Sequence, residues 1–212
     1  MDRGEILRYL GYRNQFIDQI TQDKIQQSME EIKKISSEKY VYQYFDITGR
    51  EGSVSLNHGA FELCGNSISK YLENSERCVL MAVTLGGQVD QRIRYYEKTD
   101  MTRALILDAC ATAYVEEVCD RVCSLIEDEI TDGRLNFRFS PGYGDLPITI
   151  QKTFLRLLDA EKRIGLTASE SSILLPRKSV TAVAGIVQGN CNYHNGCTGC
   201  GKVDCSYKRE EK

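Results

Sequence analysis

Apolar positions recur at helical spacing through Phe16, Ile17, Ile20, Ile25, Met29, Ile32 and Ile35, which predicts a helix over about residues 14–36 after a short one at 5–10. Residues 39–47 then change character. Lys-Tyr-Val-Tyr-Gln-Tyr-Phe-Asp-Ile is aromatic and β-branched, the composition of a strand. A turn is expected at 49–52, with 54–56 pairing back, and a short helix at 65–72. The compact apolar run 78–83 reads as a buried strand ending at Thr84-Leu85-Gly86-Gly87, with a helix through Tyr96 after it. Residues 100–130 form the longest helical candidate, with Leu107, Cys110, Ala111, Tyr114, Val118, Val122 and Leu125 as its apolar stripe. Glu116, Glu117, Asp120 and Arg121 fall largely off that stripe. A second amphipathic helix is predicted over 150–165, with Phe154, Leu157, Leu158 and Ile164 inward, and a closing strand over 179–188. Helices and strands mix without a βαβ rhythm, so the fold class is α+β, a largely antiparallel sheet flanked by helices.

Between the two long helical candidates lies Arg138-Phe-Ser140-Pro141-Gly142-Tyr143-Gly144-Asp145-Leu-Pro147. Pro141 presets φ, and Gly142 and Gly144 permit backbone angles closed to other residues. The segment therefore encodes an irregular turn with main-chain groups open, a guanidinium four residues before Gly142 and a phenol beside it. An ordinary connecting loop is the other reading of these residues.

Composition narrows the options. With 212 residues, 42% hydrophobic and 27% charged, the chain is long enough for one sizeable core, or for one domain plus an appendage. The net charge of -3, without a basic stripe interleaved with aromatics, argues against nucleic acid. No run approaches the ~18 apolar residues a membrane helix needs. The first residues lack the apolar core of a signal peptide, so the cytoplasm is the expected compartment. Two histidines, His58 and His194, leave little scope for imidazole acid–base chemistry.

Cysteines are distributed unevenly. Cys64, Cys78, Cys110, Cys119 and Cys123 are scattered, and those on the long helix read as small core thiols. Cys191, Cys197, Cys200 and Cys205 crowd into the end of the chain with spacing C-x5-C-x2-C-x4-C. The Cys197–Cys200 pair has metal-ligand spacing, and four thiolates suit tetrahedral zinc or an iron–sulfur cluster. The spacing does not separate these two, and a tail of free thiols is the third reading. The expected division is a domain over residues 1–188 and a Cys-rich tail over 189–212.

Arg138-Phe-Ser-Pro-Gly-Tyr143-Gly-Asp-Leu-Pro147 and Gln151 resemble the signature of the activation domain of cobalamin-dependent methionine synthase. So do Ser169-Glu-Ser171 and Leu175-Pro-Arg-Lys-Ser179-Val180, and upstream Met81-Ala-Val-Thr84-Leu-Gly86 and Leu107-Asp-Ala-Cys110. The resemblance covers about residues 5–188. It implies a stand-alone accessory subunit of a methyltransferase system in methionine biosynthesis. Such a subunit binds S-adenosylmethionine and presents its methyl to oxidised cobalamin, which a separate corrinoid-binding methionine synthase chain carries. A flavodoxin or ferredoxin supplies the electron. On that implication Arg138 clamps the carboxylate of S-adenosylmethionine, and the backbone of Ser140, Pro141, Gly142, Gly144 and Asp145 holds its adenosine part. Tyr143 lies near the sulfonium, and no residue need act as a general base.

Three departures from the family pattern keep other readings open. A glutamate that the long-chain enzymes use aligns near Thr112, with Glu116 one turn later; a second acidic contact has at best Asp46 as its counterpart; and cysteines replace the aromatic end of the domain. A corrinoid-protein docking module without S-adenosylmethionine chemistry is one alternative. An iron–sulfur redox activator working through the tail is another.

Overall fold

The computed structural model describes residues 1–12, 15–50, 53–59 and 61–188. The sheet is built first from hydrophobic strands buried on both faces. Strand β4 (Ser75–Thr84) is buried at all but two of its positions, and its apolar residues point alternately to two separate cores. It pairs antiparallel with β1 (Lys39–Gly49) on one side and β8 (Ser179–Val187) on the other. β2 (Ser53–Leu56) and β3 (Phe61–Cys64) extend the sheet as a hairpin, and β5 (Arg134–Leu135) closes the far edge. The strand order is β3-β2-β1-β4-β8-β5, and every pairing in it is antiparallel. The expected α+β class is the one found.

On one face, Val79, Met81, Val83, Ala182 and Ile186 meet α1 (Arg3–Tyr9), α2 (Gln19–Ile35), α4 (Gly87–Thr99) and α5 (Met101–Glu129). The 29-residue α5 starts where the Asp100 carboxylate accepts the Arg103 amide proton, and Ala104, Ala109, Ala111 and Ala113 are buried along it. Its stripe ends one residue later than the pattern suggests: Leu125 is exposed, and Ile126 is buried in its place.

On the other face, Cys78, Leu80, Ala82 and Val183 meet α3 (Asn66–Tyr71), α6 (Gln151–Leu157), α7 (Ala160–Ile164) and the β2–β3 hairpin. The single helix expected over 150–165 is corrected to two. Asp159 adopts a left-handed φ of 49°, a conformation aspartate tolerates, and the break lets Phe154, Leu155, Leu158, Ala160 and Ile164 all reach the core. A short two-stranded ribbon, β6 (Thr167–Ala168) and β7 (Leu174–Leu175), precedes β8. The tail cysteines Cys191, Cys197, Cys200 and Cys205 lie outside the described residues.

Candidate functional site

The turn at 140–146 sits at the outer edge of β8. Asn136 donates its amide proton to Gly185, and Phe139 and Val183 exchange both backbone hydrogen bonds at 2.8 Å. Because side chains alternate along an extended segment, neighbours here face opposite ways. Phe139 enters the core shared with α3 and α6, whereas Arg138 reaches α5 on the other face.

Arg138 is held by three groups on successive turns of α5. Nη2 donates to Glu116 Oε2 at 2.7 Å, and Nη1 donates to Asp120 Oδ1 at 2.6 Å and to Cys123 Sγ at 3.7 Å. Burial works against the charge on the guanidinium. The Asp120 and Glu116 carboxylates outweigh it and hold its pKa above the ordinary value. The arginine side chain is 19% exposed, Glu116 38% and Asp120 73%, so the pair opens to solvent on the Asp120 side. Burial pushes the Cys119 and Cys123 thiols up, which keeps both protonated and unreactive at neutral pH. Tyr9 of α1 also stands near this group, its phenol pKa raised first by burial and then by the Glu116 carboxylate.

On the other face the turn is fastened to α3. Asp145 accepts the amide protons of Asn66 and Ser67 at 2.7 and 2.9 Å, capping the helix, and these bonds hold its pKa below the ordinary carboxylate value. Close approach explains the glycine at position 144: φ is +56°, and a Cβ there would lie 2.7 Å from Ser67 Oγ. Inside the turn, Tyr143 donates to Ser140, Leu146 to Tyr143, and Gly142 to Leu146. The Tyr143 ring meets Phe139 edge-on at 5.4 Å, and Phe139 in turn meets Tyr71 at 5.2 Å. Tyr143 remains 43% exposed.

The predicted residues are thus divided. Ser140, Pro141, Gly142, Tyr143, Gly144 and Asp145 form one compact turn, Asp145 as its anchor, while Arg138 faces across the sheet edge to α5. Thr112, aligned with the family's glutamate, accepts a hydrogen bond from Lys178 at 2.9 Å, and Lys178 also pairs with Asp108. Asp46 lies on β1, beyond β4 and β8 from the turn, and its backbone is occupied by Asn57. Glu116 and Asp120 are the acidic partners that sequence reading did not assign. Their spacing of four residues off the apolar stripe was the available signal. Two surface hollows, of about 260 Å³ beside Lys152 and Arg156 and about 390 Å³ beside Glu31 and Arg103, include neither Arg138 nor the turn. Among the described residues there is no cluster of three or more His, Cys, Asp or Glu able to hold a metal, and no helix long and apolar enough to cross a membrane.

The molecule is thus an α+β domain with a six-stranded antiparallel sheet, helices on both faces, and an anchored proline–glycine turn at one edge. The fold is that of the MetH reactivation domain. A crystal structure of that domain bound to AdoHcy aligns with a TM-score of 0.62 over 87% of this chain and 73% of that one, at 16% identity. No family model and no curated protein matches the sequence.

Proposed function

We propose that this chain binds S-adenosylmethionine at the Arg138–Glu116 pair and the adjoining turn, and serves a separate corrinoid-carrying methionine synthase chain as its reactivation subunit. The observation that carries this reading is the fold shared with a reactivation domain bound to AdoHcy, with Arg138 and Glu116 at 2.7 Å beside the turn.

The chemistry of the pair fits the ligand. The amino-acid end of S-adenosylmethionine is a zwitterion, a carboxylate next to an ammonium. Arg138 and Glu116 offer the opposite charges in a matching pair. Asp120, the more exposed of the arginine's carboxylates, is the group a ligand carboxylate would replace, and a planar guanidinium accepts such a swap without losing its fork geometry. Glu116 then receives the ammonium, which takes over the role of the glutamate absent at Thr112. The exposed ring of Tyr143, on the other side of the edge, suits the adenosine portion, so the ligand follows the chain around the edge. S-adenosylmethionine supplies a methyl electrophile when bound. The protein's part is to orient it, and no side chain has to move a proton. Flavodoxin or ferredoxin as electron source, and zinc or an iron–sulfur cluster on Cys191, Cys197, Cys200 and Cys205, belong to the same proposal.

Isothermal titration calorimetry with S-adenosylmethionine, on the chain alone and mixed with a corrinoid-bound methionine synthase lacking this domain, tests it. Saturable heat in either arm is expected. Silence in both leaves the docking-module alternative standing and removes this one.

A further inference from the structure

Residues 134–139 run along the outer side of β8 from Val187 to Val183, and the chain then turns away at Ser140. The neighbours of the remaining stretch fix which of its backbone groups face outward. The Lys178 carbonyl accepts the Leu85 amide proton on the β4 side, and Val183 exchanges its two bonds with Phe139 on the outer side. The N–H and C=O of one strand residue point the same way, and the direction alternates along the strand. The backbone groups of Ser179 and Thr181 therefore point outward with those of Val183. Among the described residues they have no hydrogen-bond partner.

Thr181 is no bare edge residue, for it is only 2% exposed. Its hydroxyl donates at 2.8 Å to Oε1 of Gln151, the first residue of α6, which is itself 4% exposed. That bond occupies the acceptor end of the carboxamide and leaves the two protons of Nε2 without a partner among the described residues. Buried polar groups are nearly always paired, so an unpaired one calls for an explanation. The Ser28 and Ser75 hydroxyls are unpaired and sealed in; the Gln151 nitrogen is unpaired but keeps a path to the surface. Thr181 N–H, Thr181 C=O and Gln151 Nε2 thus set a donor, an acceptor and a further donor side by side. Their place matters. A ligand reaching from Arg138 on the α5 side to Tyr143 on the other crosses the sheet edge beside Phe139, whose partner Val183 is two residues from Thr181.

We propose that Gln151 and the Thr181 backbone are the base-reading part of the site and select adenine, an inference that rests on the S-adenosylmethionine reading above. The amino group of adenine and the ring nitrogen next to it are a donor beside an acceptor. That is the complement of the outward C=O and N–H of one extended residue. Gln151 Nε2 donates to a further ring nitrogen, and the Thr181 hydroxyl holds the carboxamide so that its nitrogen, not its oxygen, meets the base. Hypoxanthine reverses the first pair, with a carbonyl where adenine has its amino group and a proton on the neighbouring nitrogen. Turning that base over restores the pair but carries its remaining ring nitrogens away from Gln151. A site built to pair every polar group rejects such a mismatch strongly, because buried groups are left over.

Titration calorimetry on the full chain, alone and with the corrinoid-bound partner, compares S-adenosylhomocysteine with S-inosylhomocysteine, which have the same amino-acid end. The unmutated chain should bind the adenosyl ligand about tenfold or more tightly than the inosyl one. This comparison does not depend on any variant folding. Gln151→Glu keeps an acceptor for the Thr181 hydroxyl and removes the two donors, so it should abolish most of the preference. Arg138→Ala should weaken both ligands alike and keep the ratio. A smaller preference in the unmutated chain, or one that Gln151→Glu leaves intact, overturns the inference while the binding reading stands. Silence with both ligands, in both arms, removes the binding reading and this inference with it.

Discussion

Arg138 is a half-buried cation whose partners are unequal. Glu116 and Cys123 are less exposed than Asp120, which lies mostly in water, where an ion pair adds little. Losing Asp120 to a competing carboxylate therefore costs less than losing Glu116. Arg138→Ala should reduce S-adenosylmethionine affinity by about 1.5–3 kcal/mol, the loss expected for charge-assisted hydrogen bonds. Asp120→Ala should leave affinity unchanged or improve it. Titration calorimetry on both variants is the check, and equal losses in the two would contradict the assignment of Asp120 as the displaced group. Position 144 is constrained by space and by backbone angle. Gly144→Ala puts a Cβ against Ser67 at a left-handed φ, and denaturant melts should show destabilisation of about 1–3 kcal/mol.

Among the elements, the cap between the turn and α3 links the site to the fold. The Asp145 carboxylate is held below its ordinary pKa of 3.8 by the amides it accepts. A group whose folded pKa is depressed stabilises the fold above its unfolded value, and that contribution fades as pH falls through the folded value. Thermal melts of the unmutated chain and Asp145→Asn should thus differ at neutral pH and converge below about pH 4. A constant gap at all pH values would show that the carboxylate charge plays no part. Most of these elements were legible in sequence because their own side chains decide them. β4 and β8 are continuous apolar runs, and α5 has a stripe long enough to outweigh any local preference. β3, β5 and the β6–β7 ribbon were not legible: with two to four residues each, they are held by neighbours distant in sequence. The break at Asp159 was hidden for the same reason, since both halves keep a helical pattern and only the shape of the core separates them.

At the scale of the molecule, the division at residue 188 is testable directly. β8 ends at Val187, the last described core position. On the expected division, a chain ending at Gln188 should melt within about 2 °C of the full one, because changes outside a packed core rarely exceed ~0.5 kcal/mol. Any zinc or iron found by elemental analysis of anaerobically purified full-length chain should be missing from the shortened one. The site itself was half legible. The turn from Ser140 to Asp145 is a local arrangement, and proline and glycine announce it. The placement of Arg138 against α5 depends instead on which face of the β8 edge each residue takes, a matter of register across the sheet.

The most direct measurement is a crystal structure of the chain grown with S-adenosylhomocysteine. Density for the ligand should place its carboxylate on Arg138 with Asp120 turned away, its ammonium at Glu116, and its adenosine along the turn at 140–144. A ligand bound elsewhere, or Arg138 still paired with Asp120 in the presence of saturating ligand, would contradict the proposed site.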